Sequence, residues 1–332
     1  MTGRTETLLL TRSDVARLLP MPDCIAAVED GFRAQAAGRT VPTAVMALHA
    51  PDGGFHVKAA GLRLDRLYVA AKINANFPGN PESRGLPTIQ GVVALYDGED
   101  GRLLALLDSI EITALRTGAA TAVAAKYMAR AEADSLALCG CGVQASYQVR
   151  ALLAVRPIRE VRVHDRDSER ARRFAAELGR ETGCRVTAAE DWSAAMRRAE
   201  IIVTCTPSLE PIVTLDDVMP GVFVAGVGAD NPRKQELAPS LLAGARVVVD
   251  SVDQAVIIGD LHHAIAAGTM SAEDVKAELW EVVSGRKTGR ASPDEVTLFD
   301  STGIAIEDVA AAALVFERAL RAGHGRSLDL GA

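Results

Sequence analysis

Aromatic side chains are scarce. They make up 4% of the 332 residues, two of them tryptophan, so the core has to be assembled from aliphatic groups. Cysteine is sparser still: Cys24, Cys139, Cys141, Cys184 and Cys205 are odd in number and scattered, which speaks against a disulfide framework. Cys139 and Cys141 have no second ligand pair, so no zinc site is expected there. No block of like charge occurs and the formal net charge is −7, so neither a nucleic-acid nor an anionic-membrane surface is expected. No stretch approaches the roughly 20 apolar residues of a membrane span. Met1–Glu6 is polar and the apolar run Leu8–Leu10 is too short for a secretory leader, so the expected setting is a reducing cytoplasm.

What is present reads as globular: 48% of residues are apolar and 24% charged, over a length sufficient for two domains. The first third starts with a strand-like Thr7–Leu10 and two helical patterns, 13–19 and 23–35, the second stopped by Gly38. Then the period changes to that of strands. Val41–Ala50 and Phe55–Ala60 flank Pro51-Asp52-Gly53-Gly54, a hairpin signal. Strands at 68–74, 88–96 and 103–107 continue an antiparallel meander, interrupted by a rigid polar loop at Asn76–Pro81. Within the meander Lys72 stands in Val69-Ala70-Ala71-Lys72-Ile73. It is either buried against an anion or on an edge strand facing water. Lys58 poses the same alternative.

After an Ala-rich helix at 118–129, Leu136–Cys139 forms an apolar run that Gly140-Cys141-Gly142 breaks before helical spacing resumes at Val143. This is strand, tight turn, helix. Gly140 permits the turn, Gly142 lets a pyrophosphate approach the backbone, and Ala145 allows close helix–strand packing. The helix N-terminus then offers its N–H groups to the phosphates. Glu160–His164 ends at Asp165, where such folds place the acid that receives the adenosine ribose hydroxyls. Asp165 would repel a 2′-phosphate, so NAD is expected over NADP. Arg166 beside it either softens that repulsion or is a solvated loop arginine. Strands at 201–205, 221–227 and 246–250 alternate with helices at 168–178 and 253–266, which predicts a doubly wound parallel sheet of the Rossmann type. The strand ends Gly140–Gln144, Asp165, Thr204–Pro207 and Val227–Asp230 would converge on one crevice. A last strand, 295–300, leads through Ser301-Thr302-Gly303 into a helix at 306–320. Ser301 and Thr302 read as ordinary N-caps, and the tail after Gly323 as frayed.

Several strings together resemble the ornithine cyclodeaminase/mu-crystallin family: Pro87-Thr88, Ile112–Ala120 (ITALRTGAA), Gly140–Ala145, Val227–Asp230 with Lys234–Leu237, and Phe299–Gly303. The resemblance implies an α+β substrate-binding and dimerisation domain at 1–117, rejoined by 304–332, and an NAD(P)-binding domain at 118–303. It also implies hydride chemistry at the α-carbon of an amino or imino acid, in a homodimer. Arg116 matches the arginine for the substrate carboxylate, which neighbours the cofactor. Lys72 matches the lysine near the carboxylate and imine, and Asp230 the acid that handles the amine or exchanged proton. Thr88, Gln144, Asp165, Thr206, Val227 and Ser301 match cofactor contacts, with Gly140, Gly142, Val143, Arg166, Thr204 and Gly228 beside them. An alternative for Asp230 is a helix-initiating acid before Asn231-Pro232.

Ornithine-type relatives carry an arginine two residues after the proline of the first hairpin strand, where this chain has Ala44. They carry Glu-x-Met-Pro in the next strand, where it has Phe55-His56-Val57-Lys58. Lys58 would replace the missing cation from the neighbouring strand, and ornithine itself is not the expected substrate. The leading expectation is an NAD-dependent imino-acid reductase or amino-acid dehydrogenase. The alternatives are a cyclodeaminase with catalytic NAD and a non-catalytic ligand-binding protein.

Overall fold

The computed structural model describes residues 6–331. Most of the polar start on which the absence of a leader was judged lies outside the described residues. No helix among them is long and apolar enough to cross a membrane. The chain divides into two compact units, Met1–Arg116 with Ile304–Ala332, and Thr117–Gly303.

The first unit holds a seven-stranded sheet. Strands β1 (Thr7–Leu10), β2 (Thr40–Ala50), β3 (Gly53–Arg63), β4 (Leu67–Asn76), β5 (Ile89–Asp97) and β6 (Leu103–Asp108) are joined by a strand near the C-terminus. From β2 to β6 the sheet is an antiparallel meander, and β1 lies parallel to β6. One face is covered by the helices Met21–Ala36 and Ala305–Ala322. Leu62, Tyr68, Ala60 and Ala70 point to that face and are buried, because cross-strand partners share a face and alternate residues oppose it.

The second unit is an eight-stranded, wholly parallel sheet. Its strands are β7 (Ser135–Cys139), β8 (Glu160–His164), β9 (Arg185–Ala188), β10 (Ile201–Thr204), β11 (Phe223–Gly226), β12 (Arg246–Val249), β13 (Ala277–Glu278) and β14 (Thr297–Asp300), in the order 13-12-14-11-10-7-8-9. Its central strands are buried along their length, as strands with helices on both faces require. Together the two sheets give the expected α/β class.

Local structure departs from expectation at several points. The helix expected at 118–129 begins at Ser109, directly after β6, so Arg116 lies within it. The helix expected at 253–266 is two, Val252–Ala255 and Asp260–Ala266, because Gly259 adopts φ +89° between them. Part of the loop expected at 76–81 starts the short helix Asn80–Arg84. The tail is not frayed: β15 (Arg326–Leu328) pairs with β1. Ser301 and Thr302 do not cap the last helix, whose N-cap is Ile304; the Thr302 hydroxyl is bound to Asp250 instead.

Candidate functional site

In the first unit a cluster of buried charges lies between the sheet and its helices. Lys72 is on β4, on the same covered face as Ala70, and it is 4% exposed. Its ammonium sits 2.8 Å from Asp308 Oδ1 and 2.7 Å from Oδ2. Arg116 donates from Nε to the same Asp308 Oδ1 at 3.0 Å and from Nη1 to Glu307 Oε2 at 2.8 Å. The edge-strand alternative for Lys72 is therefore ruled out by the structure. Burial lowers the Lys72 pKa most, Arg116 lowers it further and Asp308 opposes them, with the balance near 7. For Asp308 burial acts upward, but Lys72 and Arg116 outweigh it and hold the carboxyl below the usual range. Burial also pushes the nearby Cys24 thiol well up, so it stays neutral. A lysine poised near neutrality beside a guanidinium is suited to giving a proton where a carboxylate is bound.

Lys58 is half-buried and directly opposite Lys72 across the β3–β4 ladder, so both lysines share the covered face. The expected exchange with Ala44 fails on register. Ala44 pairs with Ala59 while Val45 pairs with Lys58, so Ala44 and Lys58 point to opposite faces of the sheet. A cation at Ala44 would project away from Lys72. Thr88, half-buried just before β5, accepts a hydrogen bond at its carbonyl from the Phe77 N–H.

The second unit carries a cavity of about 570 Å3 at the carboxyl ends of its strands. Gly140, Gly142, Asp165, Arg166 and Thr206 line it. Gly140 has φ +94°, and a Cβ there would stand 2.8 Å from the Cys205 carbonyl oxygen, so the turn admits only glycine. Nothing lies within 4 Å of a Cβ position at Gly142, which caps the helix Val143–Leu153 without a side-chain hydrogen bond. Open backbone N–H groups at the start of an 11-residue helix fit a pyrophosphate. Val143 is 74% exposed, Gln144 is half-buried, and Ala145 is fully buried where the helix meets the sheet. Asp165 Oδ2 accepts from the Cys141 N–H and Oδ1 from the Asp167 N–H, both at 2.9 Å. Arg166 is exposed, and Arg170 stands 3.6 Å from Asp165. These residues fit a dinucleotide.

The neighbouring loops are tied by carboxylates. Glu236 accepts from Thr204 Oγ1, the Thr206 N–H and hydroxyl, and the Gly228 N–H, joining the ends of β10 and β11. Val227 is buried beside them, and the Ser301 N–H donates to the Gly226 carbonyl. Asp260 Oδ1 accepts from the Glu236 and Leu237 N–H groups, and Asp250 from those of Thr302 and Gly303. Asp230 is exposed and paired with Lys234 at 2.8 Å. It starts no helix, since the chain turns at 231–233.

Thus the structure brings Lys58, Lys72 and Arg116 together in one unit, and Gly140, Gly142, Asp165, Arg166, Thr204, Thr206, Val227, Gly228 and Ser301 along adjacent strand ends in the other. Sequence reasoning missed Glu307 and Asp308. Their signal was two adjacent acids opening an otherwise apolar helix, Ala305–Val315. It also gave Glu236, Asp250 and Asp260 no role.

Residues 5–323 match the ornithine cyclodeaminase/mu-crystallin family. The chain is 39% identical over 324 residues to an alanine dehydrogenase of Archaeoglobus fulgidus, covering 97% of this chain and 98% of that one. A solved archaeal alanine dehydrogenase dimer with bound NAD superposes with TM-score 0.93 at 38% identity, over 98% of this chain and 99% of the other. The Thermococcus litoralis Δ1-pyrroline-2-carboxylate reductase, solved with NADH and L-proline, gives TM-score 0.93 at 32% identity, over 97% of this chain and 100% of the other. With the glycine turn, the ITALRTGAA helix and the match running through nearly all of its length, the chain belongs to the ornithine cyclodeaminase/mu-crystallin family.

Proposed function

We propose that the protein is an NAD-dependent oxidoreductase that interconverts an imino acid, or a cyclic ketimine, and the corresponding amino acid. The observation that carries this reading is the Lys72–Asp308–Arg116–Glu307 cluster, a near-neutral lysine and a fixed guanidinium held by the same carboxylate. NAD, when bound, supplies the hydride acceptor and donor. Gly140, Gly142, Gln144, Asp165, Thr206, Ser301 and Thr88 are the residues assigned to holding it. Arg116 binds the substrate carboxylate, Lys58 adds positive charge on the same sheet face, and Lys72 holds the proton that an imine nitrogen takes up on reduction. Asp230 serves as the second proton carrier. The segment 1–117 with 304–332 is the substrate and dimerisation domain, and 118–303 the cofactor domain. The partner is a second copy of the chain, in keeping with the dimeric archaeal relative, and the cytoplasm is the setting.

The test is a screen of purified protein with NADH against pyruvate plus ammonia, pyruvate plus methylamine, and Δ1-pyrroline-2-carboxylate. Stoichiometric NADH oxidation with formation of the amino acid is expected. Ornithine yielding proline and ammonia with only catalytic NAD would replace this reading by a cyclodeaminase. Tight NADH binding without turnover of any substrate would replace it by a binding protein.

A further inference from the structure

We propose that Asp308 is a positioning residue for the reaction, its carboxylate joining the Lys72 ammonium and the Arg116 guanidinium into one unit that keeps the proton on the lysine and fixes the guanidinium plane. The inference rests on the roles given above to Lys72 and Arg116. It assigns to the first turn of the last helix a function that neither sheet nor glycine turn supplies.

Two cations share one oxygen. Lys72 Nζ and Arg116 Nε both reach Asp308 Oδ1, at 2.8 and 3.0 Å, and Asp308 is 2% exposed. Arg116 is held at a second point by Glu307, through Nη1. Two acceptors on adjacent acids fix a planar guanidinium in both position and tilt. The groups that bear on Lys72 come from three elements: Arg116 from the helix Ser109–Met128, Lys58 from β3 and Asp308 from the last helix. Val93 on β5, directly across the ladder, is apolar. Burial and the two cations all favour the neutral amine, and Asp308 alone among these opposes them. Without it the lysine would discharge and could no longer deliver a proton. In the reduction, the substrate carbon accepts hydride as the C=N pair moves to nitrogen and takes the ammonium proton. The imine is reduced, NADH is oxidised, and Lys72 is left neutral until it is reprotonated from solvent.

The test is the pH profile of kcat/KM for imine reduction, measured with whichever of the three screened substrates is turned over. Wild type, Asp308→Asn, Asp308→Glu and Lys72→Met are compared as full-length protein. Loss of the carboxylate removes an attraction to the ammonium, so the limb due to Lys72 should move to lower pH. Asp308→Asn is expected to displace it by about one pH unit or more, the range for an opposite charge in contact. Asp308→Glu, which keeps the charge, should hold the limb near its wild-type position but raise KM through the displaced guanidinium. If Lys72→Met is inactive while Asp308→Asn leaves the limb in place, the positioning role is wrong and that of Lys72 stands. Full activity of Lys72→Met overturns the reading of Lys72 itself, and the proposal with it. Should Asp308→Asn not accumulate as folded protein, Asp308→Glu decides: wild-type kcat and KM, or a displaced limb, overturns the proposal.

Discussion

Asp165 is proposed to do two jobs with one carboxylate. Its oxygens already accept the Cys141 and Asp167 N–H groups, so it braces the glycine turn before any ligand arrives. An ionised carboxylate has about four lone-pair positions, which leaves capacity for ribose hydroxyls. Asp165→Asn loses one brace and the repulsion toward a 2′-phosphate together. NADH affinity should fall by about tenfold, since a donor left without its acceptor costs about 1–3 kcal/mol. NADPH should lose less, so the ratio of the two dissociation constants, measured by nicotinamide fluorescence, moves toward NADPH. An unchanged ratio would mean that Asp165 is structural only. This residue was legible in the sequence because the glycine turn and its acid lie within one local unit. The Arg116–Asp308 contact was not, because the partners are 192 residues apart and no local periodicity couples them.

At the scale of the element, strands announce themselves by alternation, and the faces of β2, β3 and β4 show what alternation does not settle. Met46, Val57 and Ile73 form one cross-strand row, with Leu48 and Phe55 in the next, on the face opposite Lys58 and Lys72. Met46, Leu48 and Ile73 are each about half exposed. The hairpin was readable from its turn, whereas the one-residue register that separates Ala44 from Lys58 depends on an irregularity between Val41 and Ala44 that no sequence signal marks. Helix ends erred for similar reasons, since the Gly259 break is set by packing. A contiguous apolar strand face is a liability unless something covers it, and a second copy of this chain is the proposed cover. Ile73→Asp should therefore convert a dimer to a monomer in sedimentation velocity while NADH binding to the second unit persists. A variant that remains dimeric places the interface elsewhere.

Across the whole molecule the two units should answer pH in opposite senses. In the second unit burial raises Glu236, Asp260 and Asp300 above their ordinary values, and repulsion adds to it, from Asp300 and Glu236 at Asp260 and from Asp250 and Glu236 at Asp300. A carboxyl whose folded-state pKa is raised holds its proton in the native state when the unfolded chain has already lost it. Its penalty is absent below the ordinary value of 3.8, grows as pH rises and is complete once pH exceeds the folded value. Lys72 in the first unit is lowered from 10.5 to about 7, so the unfolded chain binds the extra proton between those values and stability there rises with pH. Carboxylates held low, such as Asp308, act only in acid: their contribution is lost as pH falls below the ordinary range. Between pH 5 and 7 the buried acids therefore dominate, and the urea midpoint of the second unit's transition should fall over that interval. Asp300→Asn removes one ionising group and the repulsion on Asp260, and should flatten the slope while keeping one oxygen for the Leu261 N–H. A midpoint that climbs steadily from pH 5 to 7, with the same slope in the variant, would mean that these acids are charged in the native state and that the loop network is held by ion–dipole contacts alone.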